Sequence, residues 1–235
     1  MKLSDLKLNP QCCALLIMDM QNDFISLGGY HNRRGKRCGK MQSIIPTIRY
    51  LLDELPTEVK RIYVITVREP DGSDWHWRFH KILPENLIST QEIQSSDRNV
   101  LRGTWGAEIV NLLEPRAGDH VFHKRRSSAF YQTDLELCLR NWGIKTLIFT
   151  GVSAEICVET SIRDAFCRDF DIIVAGDGVA SWNEEACGIM QKVVAQNFGA
   201  VLPAKGICEL LEYSQSPMPQ ELGNKNNVDR HAMRT

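Results

Sequence analysis

The chain predicts an α/β fold, a three-layer α-β-α arrangement around a mostly parallel sheet, and two observations carry that prediction. Short apolar runs alternate with stretches of helical spacing, and most of the runs are apolar at consecutive positions, as strands buried on both faces are. The first run is Cys12 to Met18 (CCALLIM), followed by helical spacing over Ile44 to Leu55. Arg61 to Val67 (RIYVITV) predicts the second strand, Trp105 to Leu113 a helix, and His120 to His123 the third strand. The next helix is expected over Thr133 to Trp142, where Gly143 supplies a C-terminal stop. Lys145 to Thr150 (KTLIFT), Asp171 to Ala175 (DIIVA) and Ala200 to Pro203 complete the strands, with helices expected over Ala154 to Arg168 and Glu184 to Phe198. Such an order favours right-handed crossovers that cover both faces of the sheet. In that architecture ligands bind beyond the carboxyl ends of the strands.

Composition narrows the class. The 235 residues suit one domain, expected over residues 1–213, followed by a polar stretch at 214–235 with no periodicity, which is expected to be a mobile tail. With 43% hydrophobic and 24% charged residues the sequence is that of an ordinary globular protein. Lys and Arg total 28 against 29 Asp and Glu, so no strong field invites nucleic acid or an acidic membrane. The apolar runs fall well short of the ~20 residues that span a bilayer, and residues 1–11 lack a signal-peptide core, so a cytoplasmic location is expected. Eight scattered cysteines form no Cys-x-x-Cys pair and read as reduced thiols, most of them packed in the core.

Three reactive groups fall at strand ends: Asp19 after the first strand, Lys124 after the third, and Cys157 shortly after Gly151 closes the fourth. A neighbouring cation and a helix N-terminus favour a thiolate nucleophile, and a carboxylate beside it can accept and return a proton. Taken singly, each has a plainer role: Asp as a turn former, Lys as a solvated cation, Cys as packing. Their placement on one edge of the inferred sheet is what favours chemistry.

The surrounding residues resemble the isochorismatase-like cysteine hydrolases. Leu15 to Phe24 (LLIMDMQNDF) is similar to that family's first-strand motif. Lys124 to Leu135 (KRRSSAFYQTDL) resembles its Lys-x-x-x-Ser-Ala-Phe-x-x-Thr-x-Leu segment, and Gly151 to Ala165 (GVSAEICVETSIRDA) resembles the signature that opens the nucleophile helix. The resemblance runs over roughly residues 12–203 and implies a six-stranded sheet, an Asp19-Lys124-Cys157 triad and a cis peptide at Val152-Ser153. It further implies an oxyanion hole from the Ser153 and Cys157 amides. The implied reaction is cysteine-dependent hydrolysis of a small ureido, carbamoyl or carboxamide compound through a thioester, with no cofactor and in a homo-oligomer, a dimer or tetramer. In look the chain lies nearest the ureidoacrylate amidohydrolases, biuret hydrolases and N-carbamoylsarcosine amidases. A nicotinamidase-like amidase or a non-catalytic binding relative are the alternatives.

Other residues carry expectations of their own. Phe24, Trp75, Trp105 and Phe130 are candidate apolar walls for a small planar substrate. Asp74 and His76 form an Asp-x-His element with His80 four residues on, but surface histidines beside aromatics explain that pattern more commonly, and no metal is expected. Glu155, where many amidases of that group carry an amide, either selects against carboxylated substrates or is a solvent-facing first-turn helix acid. Arg125 and Arg126 either attract an anionic substrate or are solvated.

Overall fold

A computed structural model describes residues 8–74 and 98–213 of the chain. It contains one six-stranded sheet in the order β3-β2-β1-β4-β5-β6, with every pairing parallel. The strands are β1 (Cys13–Met18), β2 (Lys60–Thr66), β3 (His120–Lys124), β4 (Thr146–Gly151), β5 (Asp171–Val179) and β6 (Ala200–Leu202). Three short helices, α1 (Asn22–Ile25), α2 (Tyr30–Arg33) and α3 (Gly39–Ser43), lead into α4 (Ile45–Glu54). Beyond β3 come α5 (Leu135–Asn141), α6 (Glu159–Phe166), α7 (Glu184–Asn197) and α8 (Ala204–Tyr213). The stretch 214–235, expected as a tail, lies outside the described residues, as do Trp75, His76 and His80.

Period-two alternation divides each central strand between two cores. From β1, Cys13, Leu15 and Ile17 pack with Ile48 and Leu51 of α4 and Ile207 and Leu211 of α8. Ala14, Leu16 and Met18 face the other way, against Leu139 of α5, Ile162 of α6 and Val194 of α7. Burial on both faces is therefore why β1 and β4 read as unbroken apolar runs. Two helices beneath and three above complete the layers.

The helix expected over Trp105 to Leu113 does not form. Two 3-10 turns, Trp105–Ala107 and Asn111–Leu113, flank an extended piece whose Ile109 bridges Gln21. The physical reason lies in where the backbone groups go. Trp105 O accepts from the Asn22 side chain, Ala107 O from the Gln21 side chain, Glu108 O from Asn22 N–H, while Val110 N–H donates to Met20 O. Those bonds to the loop after β1 replace an i→i−4 ladder. At Gly106 an added Cβ would meet the Asp23 carboxylate at 2.3 Å, so the two segments approach closer than any other residue permits.

Candidate active site

Strand order reverses between β1 and β4, and the crevice at their carboxyl ends is the topological switch point of the sheet. Met18 of β1 lies opposite Gly151 of β4 in register. Gly151 has φ 104°, and a Cβ there would sit 2.1 Å from Met18 O, so glycine alone lets the two chain ends leave the sheet side by side. Asp19 departs from β1 with φ 51°, and Cys157 follows β4 in a π-turn over Ala154–Val158 that leads into α6. Such turns recur at functional sites.

Asp19, Lys124 and Cys157 meet here. Lys124 Nζ is 2.8 Å from Asp19 Oδ2 and 3.3 Å from Cys157 Sγ. Thr66, in register with Lys124 across β2 and β3, ties the first two together. Its N–H and hydroxyl donate to Asp19 Oδ1, both at 2.9 Å, and its hydroxyl accepts from Lys124 at 2.7 Å. Lys124 also donates to Arg126 O at 3.2 Å. Gln21 fixes the Thr66 backbone, accepting from its N–H and donating to its carbonyl. Asp19 and Lys124 are each about 1% exposed, so the ion pair sits in a dry, low-dielectric setting where its partners decide its charge.

Burial would push Lys124 down, but the adjacent Asp19 carboxylate holds it up and the net direction is upward, so it stays an ammonium. Cys157 shifts the opposite way from what its neighbouring cation alone would give. Burial, reinforced by the Asp19 charge, outweighs Lys124 and pushes the thiol up to about 12, so it rests protonated. Asp19 Oδ2, though ion-paired, accepts no well-aligned hydrogen bond among the described residues, which leaves an acceptor beside the thiol.

The Val152-Ser153 peptide is cis. Ser153 is buried, and its N–H has no backbone or side-chain acceptor among the described residues. The neighbouring amides are committed, Val152 N–H to Met18 O and Ala154 N–H to Ala180 O. Ser161 braces the turn from below, its hydroxyl donating to Cys157 O at 2.7 Å and accepting from Ala129 N–H at 2.9 Å. Ser128, next to Ala129, bonds Asp164 on α6, so the segment after β3 and the one after β4 are latched together.

The expected walls fare differently. Phe24 lies at this edge, 5.4 Å from His31, whose ring is 4.4 Å from Trp182 just after β5. Trp105 is half-exposed and instead lines a groove of about 540 Å³ with Asn22, Ile25 and Pro46, which none of the three reactive residues borders. Phe130 is a correction: it is buried 6.0 Å from Phe170, under Arg168, at the amino end of β5 and so in the core away from the crevice. Asp74 accepts from Glu69 N–H and pairs with Arg125 at 3.4 Å, so both its oxygens already face protein donors. Sequence reasoning missed Thr66, His31 and Trp182.

An all-parallel sheet with a carboxylate, an ammonium and a thiol gathered at its switch point defines an α/β protein with a candidate site at the carboxyl ends of its strands. A match to the isochorismatase domain covers residues 13–205, and the chain belongs to that family. It is 32% identical to a ureidoacrylate amidohydrolase, RutB, of Methylorubrum extorquens, over 70% of this chain and 68% of that protein. Its fold is similar to that of a cysteine hydrolase from Pseudomonas syringae, with a TM-score of 0.75, 24% identity and coverage of 89% and 96% of the two chains. An N-carbamoylsarcosine amidase from Thermoplasma acidophilum is similar at TM-score 0.62 and 26% identity, over 81% of this chain and 95% of that one.

Proposed function

We propose that the protein is a cysteine-dependent amidohydrolase that cleaves a C–N bond of a small ureido or carbamoyl compound. The observation that carries this reading is the buried Asp19-Lys124 ion pair with the partly exposed Cys157 thiol beside it, where the ion-paired carboxylate oxygen has acceptor capacity to spare. The similarity to a ureidoacrylate amidohydrolase and to an N-carbamoylsarcosine amidase supports the substrate class.

In the first half-reaction the Cys157 proton passes to Asp19 as sulfur attacks the carbonyl carbon. The Ser153 and Cys157 amides receive the developing oxyanion. Asp19 then gives the proton to the departing nitrogen, the C–N bond breaks, and an S-carbamoyl (thiocarbamate) thioester remains on Cys157. In the second, Asp19 takes a proton from water, the hydroxide adds to the S-carbamoyl carbon, and C–S cleavage releases a carbamate while the proton returns from Asp19 to sulfur. Lys124 keeps its proton throughout and compensates whichever neighbour carries the negative charge.

Ammonia release from ureidoacrylate, biuret, N-carbamoylsarcosine and nicotinamide, measured for wild type and Cys157→Ala, tests this reading. Release from a ureido or carbamoyl compound is expected, reduced at least about a thousandfold in the variant with the fold intact. Substantial residual turnover by Cys157→Ala would overturn it.

A further inference from the structure

The segment from Trp105 to Leu112 forms a ridge between two grooves. One is the groove of about 540 Å³ bounded by Asn22, Gln42 and Pro46; the other, of about 400 Å³, is lined by Ile65, Pro115 and His123, and Asn111 borders both. The ridge holds apolar side chains out in solvent. Trp105 is 49% exposed and Leu112 68%, and Leu27, next to Ser26 on the wall of the first groove, is 72% exposed. Single exposed apolar residues are ordinary, but three large ones around one groove mark a surface for a partner.

Neither a helix nor the sheet holds this ridge, yet its conformation is fixed. The carbonyls of Trp105, Ala107 and Glu108 and the Val110 N–H are all bonded to residues 20–22, and Gly106 sits directly against the Asp23 carboxylate. A partner therefore meets a preformed surface and loses little entropy in ordering it. The ridge is also tied to the reactive cluster. The Gln21 amide donates to Ala107 O and to Thr66 O, each at 2.8 Å, and Thr66 is the residue that joins Asp19 to Lys124.

The chemistry of the first groove selects the partner. In a chain with 24% charged residues, none of the described residues lining it is charged. Charge returns at its edge, where Arg49, three residues beyond Pro46 on α4, pairs with Asp53. A neutral centre with an aromatic side chain and a charged rim is the composition of a protein interface, whereas nucleic acid or an acidic membrane would find no field to meet. The polar groups at that centre are self-complementary. Gln42 and Asn111 carry carboxamides, each both donor and acceptor, so a copy of this surface presents the groups it needs and opposes no like charges. Shape agrees, because a ridge beside a groove can enter the groove of a two-fold mate while receiving that mate's ridge in its own. We propose that this face is an isologous interface with a second copy of the chain, the ridge of each copy seated in the neutral groove of the other, which gives the expected homo-oligomer a definite surface.

Sedimentation velocity of the full chain between about 1 and 100 µM tests the proposal. The wild type is expected to run as a dimer, or as a tetramer that the variants halve. Leu112→Glu and, separately, Trp105→Lys place a charge that pairing would bury without a counter-ion, and each is expected to weaken association at least about 100-fold. Both side chains reach solvent in the single chain, so the urea midpoint should hold, which separates loss of pairing from loss of fold. Leu137→Glu, at a 62% exposed position on α5 in the opposite layer, is the control and should leave association unchanged. A wild type that is monomeric at about 100 µM overturns the proposal, as do ridge variants that associate as tightly as the wild type or dissociation by Leu137→Glu. Growth into open-ended assemblies also overturns it, since a head-to-tail contact produces that and a two-fold contact does not.

Discussion

The two sides of the crevice are built on opposite principles. On the β1-β2-β3 side Asp19, Thr66 and Lys124 are all buried, and each is held by two or more of its neighbours. On the β4-β5 side Cys157 is partly exposed, and Glu155 Oε2 and Trp182 Nε1 are buried with no hydrogen-bond or ion-pair partner among the described residues, whereas Asp19 Oδ2 across the crevice, equally without a hydrogen bond, is ion-paired to Lys124. Leaving a buried polar atom unpartnered costs about 1–3 kcal/mol, so a fold tolerates it chiefly where a ligand or water has access. The two sides divide the labour. One side fixes charge at a set geometry, and the other stays adaptable enough to receive what is bound.

Breaking the fixed side should give the largest effect. Lys124→Met leaves the Asp19 carboxylate buried without its cation, and removing one partner of a buried pair costs about 3–5 kcal/mol. The expected outcome in urea unfolding is a large drop in midpoint at an unchanged slope, together with loss of turnover. A loss below about 1 kcal/mol would show that the pair is not what anchors this side.

Asp19→Asn should separate charge from chemistry. The Asp19 charge raises the Cys157 thiol while Lys124 lowers it, so removing the carboxylate moves the thiol downward and increases the thiolate fraction at neutral pH. Every 1.4 kcal/mol or so by which the ionised sulfur is favoured multiplies that fraction about tenfold. Iodoacetamide should therefore modify Cys157 in the variant faster than in wild type at pH 7, on the order of tenfold or more, while turnover falls because nothing carries the proton to the leaving nitrogen. Slower alkylation in the variant would mean that Asp19 assists the ionised sulfur instead of opposing it.

The same contrast explains what could be read from the sequence. Strands buried on both faces announce themselves as apolar runs, and Asp19, Lys124 and Cys157 were legible because each follows such a run and so falls on one edge. Thr66 was hidden inside RIYVITV, where a β-branched residue looks like one more strand former. Its signal was a hydroxyl and then Arg68 at alternate positions where the run ends. His31 and Trp182 meet only through tertiary structure and left no local trace. The false helix at 105–113 had acceptable spacing, but spacing is silent about competing partners, and the Gln21 and Asn22 side chains claim its carbonyls. Residues of α8 carried apolar positions at helical intervals and were passed over as the end of the domain.

The smallest effect should come from the adaptable side. Glu155 Oε1 accepts from the Ser181 hydroxyl at 2.7 Å, and the partnerless oxygen is Oε2. Glu155→Gln keeps the first contact, preserves the shape and replaces the partnerless carboxylate oxygen with an amide. Because it removes a buried charge without opening a cavity, stability should stay level or rise by up to about 1 kcal/mol, the opposite sign to Lys124→Met. The change also removes one negative charge near the crevice, so kcat/KM for an anionic substrate should rise a few-fold if the residue faces the ligand and stay flat if it serves only to hold Ser181. A destabilisation comparable to that of Lys124→Met would erase the distinction between the two sides, since it would make Glu155 as firmly committed as Asp19.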